Sequence, residues 1–267
     1  MFKYFVWGIK VGIPLLWNYW VWMRRYSRHP ERYSQELRFK RSQKFILKVL
    51  KRLKVDVEIR NLPPLEAGEV YYFVGNHTSL MDALISIAYM PVPVQFVSKI
   101  ENKRIPFVGT MFKIIGGVLI ERDNLKQEIR AMQQTRTSLA NKESSWVIFP
   151  EGTRKKDYHA PFLEYKAGAF KAPLQTNTTI IPFVLWGNQL ILPKKTRAKR
   201  YKVIFEFLPP VKPEGTTLEI ASAIQKASEE VGARLKEEYY HTQKLNKYGQ
   251  RMIDPNLIEN KEENNEN

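Results

Sequence analysis

Seven short apolar runs of β character, residues 55–60, 70–75, 94–98, 114–120, 146–149, 179–185 and 201–207, follow one another along the chain. Segments with apolar positions at helical spacing, 80–89, 124–140 and 167–175, lie between several of them, and another follows at 217–240. This strand, helix, strand alternation predicts an α/β layer architecture, a mixed sheet flanked by helices. At 267 residues, 43% of them hydrophobic and 26% charged, the chain has ample material for a buried core.

The two ends of the sequence differ from this pattern. Residues 2–23 are apolar and rich in Trp, but Lys3, Lys10 and Pro14 interrupt them and Arg24, Arg25 and Arg28 follow. A clean membrane span needs about 20 apolar residues, whereas Trp7, Trp17, Tyr19, Trp20 and Trp22 favour the headgroup region. The expectation is an amino-terminal membrane-interfacial helical segment, a helical pair lying in one leaflet, with a single span as the alternative. No small-residue cleavage site follows the apolar stretch, so it does not read as a signal peptide. Residues 39–53 place Phe39, Phe45, Ile46, Val49, Leu50 and Leu53 at helical spacing with six basic residues largely elsewhere on the wheel. That helix either packs on the core with a solvated charged face or touches anionic lipid. The Asn/Glu-rich end, 253–267, has little to bury and reads as a mobile tail. The organisation read from these features is an interfacial segment over 1–38, one folded domain over 39–252 and the tail. No internal repeat is visible.

Lys and Arg number 43 against 27 Asp and Glu, a net charge of +16, which favours nucleic acid, anionic lipid or a phosphorylated substrate. Residues 1–60 hold 15 Lys/Arg and 4 Asp/Glu alongside the most aromatic stretch, which puts an anionic membrane surface first. No helix-turn-helix, zinc-finger or RNA-binding signature accompanies the charge, so a nucleic acid partner is not expected and a basic nucleic-acid-binding protein stays a remote alternative. Cysteine is absent, which excludes disulfides, thiolate catalysis and cysteine metal sites, and four histidines do not suggest a His-rich metal site.

The buried run 70–75 leads into Asn76-His77-Thr78-Ser79-Leu80-Met81-Asp82, just before a helical pattern begins. On a regular helix His77 and Asp82, five apart, would point about 140° away from each other. With His77 before the helix and Asp82 in its first turn, the carboxylate can reach back to one imidazole nitrogen, fix the tautomer and support the imidazolium formed when the other nitrogen takes a proton. The alternative is a capping box, Ser79-x-x-Asp82, with His77 incidental. A second polar turn, Phe149-Pro150-Glu151-Gly152-Thr153-Arg154, follows the strand at 146–149. It can offer backbone N–H groups, a hydroxyl and Arg154 to an anion, while Glu151 braces basic residues or binds a hydroxyl, or it is an ordinary turn.

The pairing of these two blocks some seventy residues apart resembles the glycerolipid acyltransferase family of 1-acylglycerol-3-phosphate acyltransferases. Gly117-Val118-Leu119-Ile120-Glu121-Arg122 is similar to that family's second motif, and Thr179-Ile180-Ile181-Pro182-Phe183-Val184 to its fourth. The segment 162–170 resembles the Lys- and Gly-containing stretch after the third motif. The likeness spans residues 70–184, with Lys155 and Glu121 as modest departures.

The resemblance implies acyl transfer from a thioester of acyl-carrier protein or coenzyme A, as co-substrate, to the sn-2 hydroxyl of lysophosphatidic acid, giving phosphatidic acid. It needs no other cofactor and no metal. His77 would act as general base with Asp82 orienting it, and Arg122 and Arg154 would hold the acceptor phosphate in a pocket shaped by Glu151, Gly152 and Thr153. Asn76 or turn N–H groups would steady the oxyanion. Lys99 is a further supporting candidate, or an exposed lysine at a strand end, and Ser79 reads as a helix cap rather than a nucleophile. The resemblance leaves open a sibling acyltransferase acting on glycerol-3-phosphate or another lysophospholipid. The expected place is membrane-associated, at the cytoplasmic face.

Overall fold

The structure, a computed structural model, describes residues 12–105, 107–121, 124–154, 162–191 and 200–244. Strands β1 (Val55–Arg60), β2 (Tyr72–Gly75), β3 (Val94–Lys99), β4 (Val118–Ile120), β5 (Ser145–Ile148), β6 (Ile180–Trp186) and β7 (Tyr201–Phe207) form one sheet in the order β1-β7-β6-β2-β5-β3-β4. Every neighbouring pair is parallel except β6 and β7. Strands β2 to β6 therefore point one way, and β1 and β7 the other.

The period of two along each strand explains why these runs are apolar throughout. Phe73, Val147, Ile181, Phe183 and Leu185 face one core, with Phe45, Ile46 and Leu50 of α3 (Gln35–Arg52) and Ile85 of α4 (Met81–Tyr89). Their alternate neighbours Tyr72, Val74, Trp146 and Ile148 face the opposite core, closed by Phe170 and by Ile220 and Ile224 of the carboxy-terminal helix (Thr217–Lys244). Both faces are covered, as a largely parallel sheet requires, and each fully buried Leu, Ile or Phe contributes about 1.5–3 kcal/mol. The mixed sheet flanked by helices is the architecture expected from the sequence.

Two local readings change. The run at 114–120 is not one strand: Ile114 and Ile115 end α5 (Val108–Ile115), Gly116 at φ +80° stops the helix in the left-handed region, and Val118–Ile120 alone pair with β3. A short apolar run carries no period that separates helix from strand, so the sequence could not divide it. The boundary at 38/39 falls inside α3, which starts at Gln35 because the Ser34 hydroxyl accepts the Leu37 N–H at 3.2 Å. The apolar face of α3 lies in the core and its cations Lys40, Arg41, Lys44, Lys48, Lys51 and Arg52 face outward.

The amino-terminal helix runs as α1 (Ile13–Asn18), a π turn (Tyr19–Met23) and α2 (Arg24–Arg28). One stripe, Trp22, Met23 and Tyr26, is buried in the main core, so this segment is continuous with the domain rather than separate from it. Arg41 of α3 clamps that stripe, its guanidinium 5.3 Å from the ring centres of both Trp22 and Tyr26. The other stripe, Ile13, Leu16, Trp17, Trp20 and Val21, is exposed, Trp17 at 71% and Trp20 at 65%. Among the described residues no helix is long and apolar enough to cross a membrane. Residues 1–11, where the first half of the expected helical pair falls, and the tail at 253–267 lie outside the described residues.

Candidate active site

Because β2, β3, β4, β5 and β6 are parallel, their carboxy-terminal ends emerge on one edge of the sheet, the edge where open α/β sheets hold ligands. Register sets which residues meet there. Val74 of β2 is level with Ile148 of β5 and Pro182 of β6. His77 and Glu151 each lie three residues beyond that level, and the Glu151 Oε1 accepts the His77 main-chain N–H at 2.8 Å. Leu185 is three residues beyond it on β6, where its N–H donates to Asn76 Oδ1 at 2.8 Å and its carbonyl accepts from Asn76 Nδ2 at 3.1 Å.

The His77 Nδ1 lies 2.7 Å from Asp82 Oδ2. Asp82 sits in the first turn of α4, fully buried, whereas the His77 side chain keeps 15% of its surface open. The same Oδ2 accepts the N–H groups of Thr78 at 2.8 Å and Ser79 at 2.9 Å. The carboxylate reaches back to the turn before α4 and also to the imidazole, while the Asp82 N–H goes to the Ser79 carbonyl and not to its hydroxyl, so the capping box is only half formed. Two backbone N–H groups already mark Oδ2 as an acceptor, so a proton on Nδ1 completes the contact and leaves the lone pair on Nε2. The imidazole lies flat on Phe149, centres 4.5 Å apart and planes 15° apart, so its tilt is fixed from the side as well. Ser79 is buried and its hydroxyl accepts the Met81 N–H at 3.2 Å, a local turn bond rather than a link to His77.

Asn188, in the connection after β6, went unnoticed in the sequence. It is fully buried, and its Nδ2 donates to Asp82 Oδ1 and, at 3.0 Å, to Thr78 Oγ1. Gly187 at φ +93° makes the turn; a Cβ there would stand 2.4 Å from the Lys202 carbonyl. The one visible signal is a Gly-Asn pair directly after an all-apolar strand that ends at the same sheet edge as His77.

One expected role is corrected. Asn76 is fully buried with both ends of its amide on Leu185, so it continues the β2–β6 ladder beneath His77 and cannot reach an oxyanion. Glu151 is buried and its Oε1 accepts the His77 main-chain N–H, so that oxygen braces the turn that carries His77. Tyr165, buried close by, is pushed up mainly by burial, against the opposing pull of the Ser228 hydroxyl and with smaller help from the charges of Glu151 and Glu229.

The remaining candidates form a looser group. Gly152 at φ +68° turns the chain sharply, and a Cβ there would lie 3.1 Å from Lys166 Nζ. Thr153, Arg154 and Lys166 are exposed. Lys99 ends β3 on the same edge, 40% exposed and paired with Glu101 at 2.9 Å, which fits the reading of an exposed lysine at a strand end. Strand β4 ends at Ile120, and Arg122 lies outside the described residues.

Comparison with known proteins agrees with the geometry. The model of the Acyltransferase family matches residues 55–186. A 1-acyl-sn-glycerol-3-phosphate acyltransferase of Chlamydomonas reinhardtii is 32% identical over 157 residues, 57% of this chain and 46% of that protein. A probable 1-acyl-sn-glycerol-3-phosphate acyltransferase of Mycoplasma pneumoniae is 27% identical over 77% of this chain and 80% of its own. The chain spans about half the length of several curated relatives it matches, 46% and 52% for two plant and algal proteins. The crystal structure of the 1-acyl-sn-glycerophosphate acyltransferase of Thermotoga maritima superposes with a TM-score of 0.66 over 84% of this chain and 94% of that one, at 22% identity, a likeness of fold. Residues 55–186, which carry the sheet edge and the His77–Asp82 pair, belong to the Acyltransferase family.

Proposed function

We propose that this protein transfers an acyl chain from a thioester, of acyl-carrier protein or coenzyme A, to the sn-2 hydroxyl of lysophosphatidic acid, giving phosphatidic acid. The observation that carries this reading is the 2.7 Å contact between His77 Nδ1 and buried Asp82 on a ring that is itself partly open. With Nδ1–H committed to the carboxylate, Nε2 takes the hydroxyl proton as the oxygen attacks the thioester carbonyl. Asp82 holds the tautomer and offsets the imidazolium charge that develops, and Phe149 and Glu151 hold the ring and its backbone still. Collapse of the tetrahedral intermediate expels the thiolate, and His77 returns its proton to that sulfur. Both substrates meet directly, so no covalent enzyme intermediate is required.

The acceptor phosphate would be held by Arg154 and Lys166, with Arg122 as a further cation from the resemblance. A guanidinium meets phosphate oxygens with two parallel hydrogen bonds. The exposure of Thr153, Arg154 and Lys166 suits groups that bind a headgroup arriving from outside. The exposed stripe Ile13, Leu16, Trp17, Trp20 and Val21, followed by Arg24, Arg25 and Arg28, supports a helix lying in the headgroup plane of an anionic membrane, with the cytoplasmic leaflet as its place. Such docking spares the acceptor from leaving the bilayer, at about 0.8 kcal/mol per exposed methylene.

The test is purified protein on vesicles, offered lysophosphatidic acid, glycerol-3-phosphate and other lysophospholipids with each donor type, and products identified by mass. The reading expects phosphatidic acid as the main product. Faster acylation of glycerol-3-phosphate or of a lysophospholipid lacking the bare phosphate would assign the sibling activity instead.

A further inference from the structure

We propose that Asn188 is a positioning residue for this acyl transfer, holding the Asp82 carboxylate at the rotation that presents Oδ2 to His77. The proposal rests on His77 acting as the base. Three donors to Oδ2, His77 Nδ1 and the N–H groups of Thr78 and Ser79, come from one turn immediately before α4. They move together with that turn and fix only one oxygen. The other, Oδ1, takes the Asn188 amide, which comes from the connection after β6 and thus ties the carboxylate to a second, independent part of the chain.

Three features mark this contact as more than packing. The same Nδ2 donates to Thr78 Oγ1, so one amide group spans the carboxylate and the residue next to His77. Asn188 is fully buried, and its Oδ1 has no hydrogen-bond partner among the described residues. The amide is thus turned toward Asp82 although its own carbonyl goes unbonded, an arrangement that stability alone does not favour. The donor is also neutral. It anchors Oδ1 without cancelling the negative charge that His77 needs when it becomes an imidazolium, as a lysine or arginine at this place would do. Position 188 is further fixed by the left-handed turn at Gly187, which a side chain cannot occupy.

The experiment is a pair of variants at 188 read in two backgrounds, with folding checked by circular dichroism and thermal melting. Asn188→Ala is expected to lower kcat about tenfold, with KM for donor and acceptor unchanged, less than the roughly 100-fold that a 1 Å misplacement costs. In an Asp82→Ala background the same change should cost less than about twofold, because no carboxylate is left to position. Asn188→Asp places a second carboxylate against the first, and its activity relative to the parent should rise as pH falls and the pair gains a shared proton. That ratio also decides the matter if Asn188→Ala does not fold. Equal losses in both backgrounds, an unchanged kcat in Asn188→Ala, or a flat pH ratio for Asn188→Asp would overturn the role of Asn188 while leaving His77 in place. Parental turnover in Asp82→Ala alone would bring down the base reading itself.

Discussion

The two halves of the site are built in opposite ways. On the base side His77 is gripped through its ring, its backbone and its carboxylate partner, and every one of those partners except the ring face is buried. On the cation side Thr153, Arg154 and Lys166 stand at the surface around a sharp glycine turn. A base must keep its geometry to within a few tenths of an ångström to help the reaction. Groups that catch a charged headgroup act at longer range and gain from reach. The difference teaches that the base side should govern turnover and the cation side should govern affinity.

The largest expected break in that contrast is His77→Ala, which removes the base and should lower kcat about 1,000-fold with a melting temperature near that of the parent. A loss below tenfold would move the chemistry elsewhere. Asp82→Asn comes next, at about 100-fold in kcat. Because Asp82 also ties down the turn before α4, the change should in addition lower the melting temperature by a few degrees, and a melting shift without a rate loss would reduce Asp82 to an anchor of that turn.

Arg154→Ala should act on the other term, raising KM for lysophosphatidic acid about tenfold with a small change in kcat and none in KM for the donor. An acceptor analogue lacking phosphate should not feel the change. A selective loss for the donor would exchange the assignment. Smallest is the paired change Trp17→Ser and Trp20→Ser. It should weaken flotation with anionic vesicles and lower activity on bilayer substrate several-fold while sparing a short-chain soluble acceptor, because neither side chain is buried in the core. Equal losses on both acceptors would mean that the helix shapes the site.

Much of the base side is legible in the residues. A buried strand running into Asn76–Asp82 places His77 at a turn, and the five-residue spacing to a first-turn carboxylate makes their contact geometrically available. What the sequence does not show is the register. Only the level of Val74 with Ile148 and Pro182 reveals that Glu151 meets the His77 backbone and that Asn76 is spent on Leu185. Asn188, 106 residues beyond Asp82, is invisible for the same reason: its role depends on which strands are neighbours, which periodicity cannot say. The run 114–120 hides its division because apolar residues at a helix end and in an adjoining short strand look alike, and only the left-handed turn at Gly116 separates them. Composition marks residues 2–23 as aromatic but not which rings stay outside: Trp17 and Trp20 are exposed, whereas Trp22, expected with them at the headgroup region, is buried in the core.

The central claim is that the acceptor hydroxyl attacks the thioester directly, under His77. It is tested most directly by mixing the protein with acyl thioester alone, quenching, and reading the intact protein mass before and after lysophosphatidic acid is added. The account predicts no acyl mass on the protein at any time, and acyl appearing in the lipid only once acceptor is present. A stoichiometric acyl adduct on Ser79 or any other residue, consumed when acceptor arrives, would contradict it.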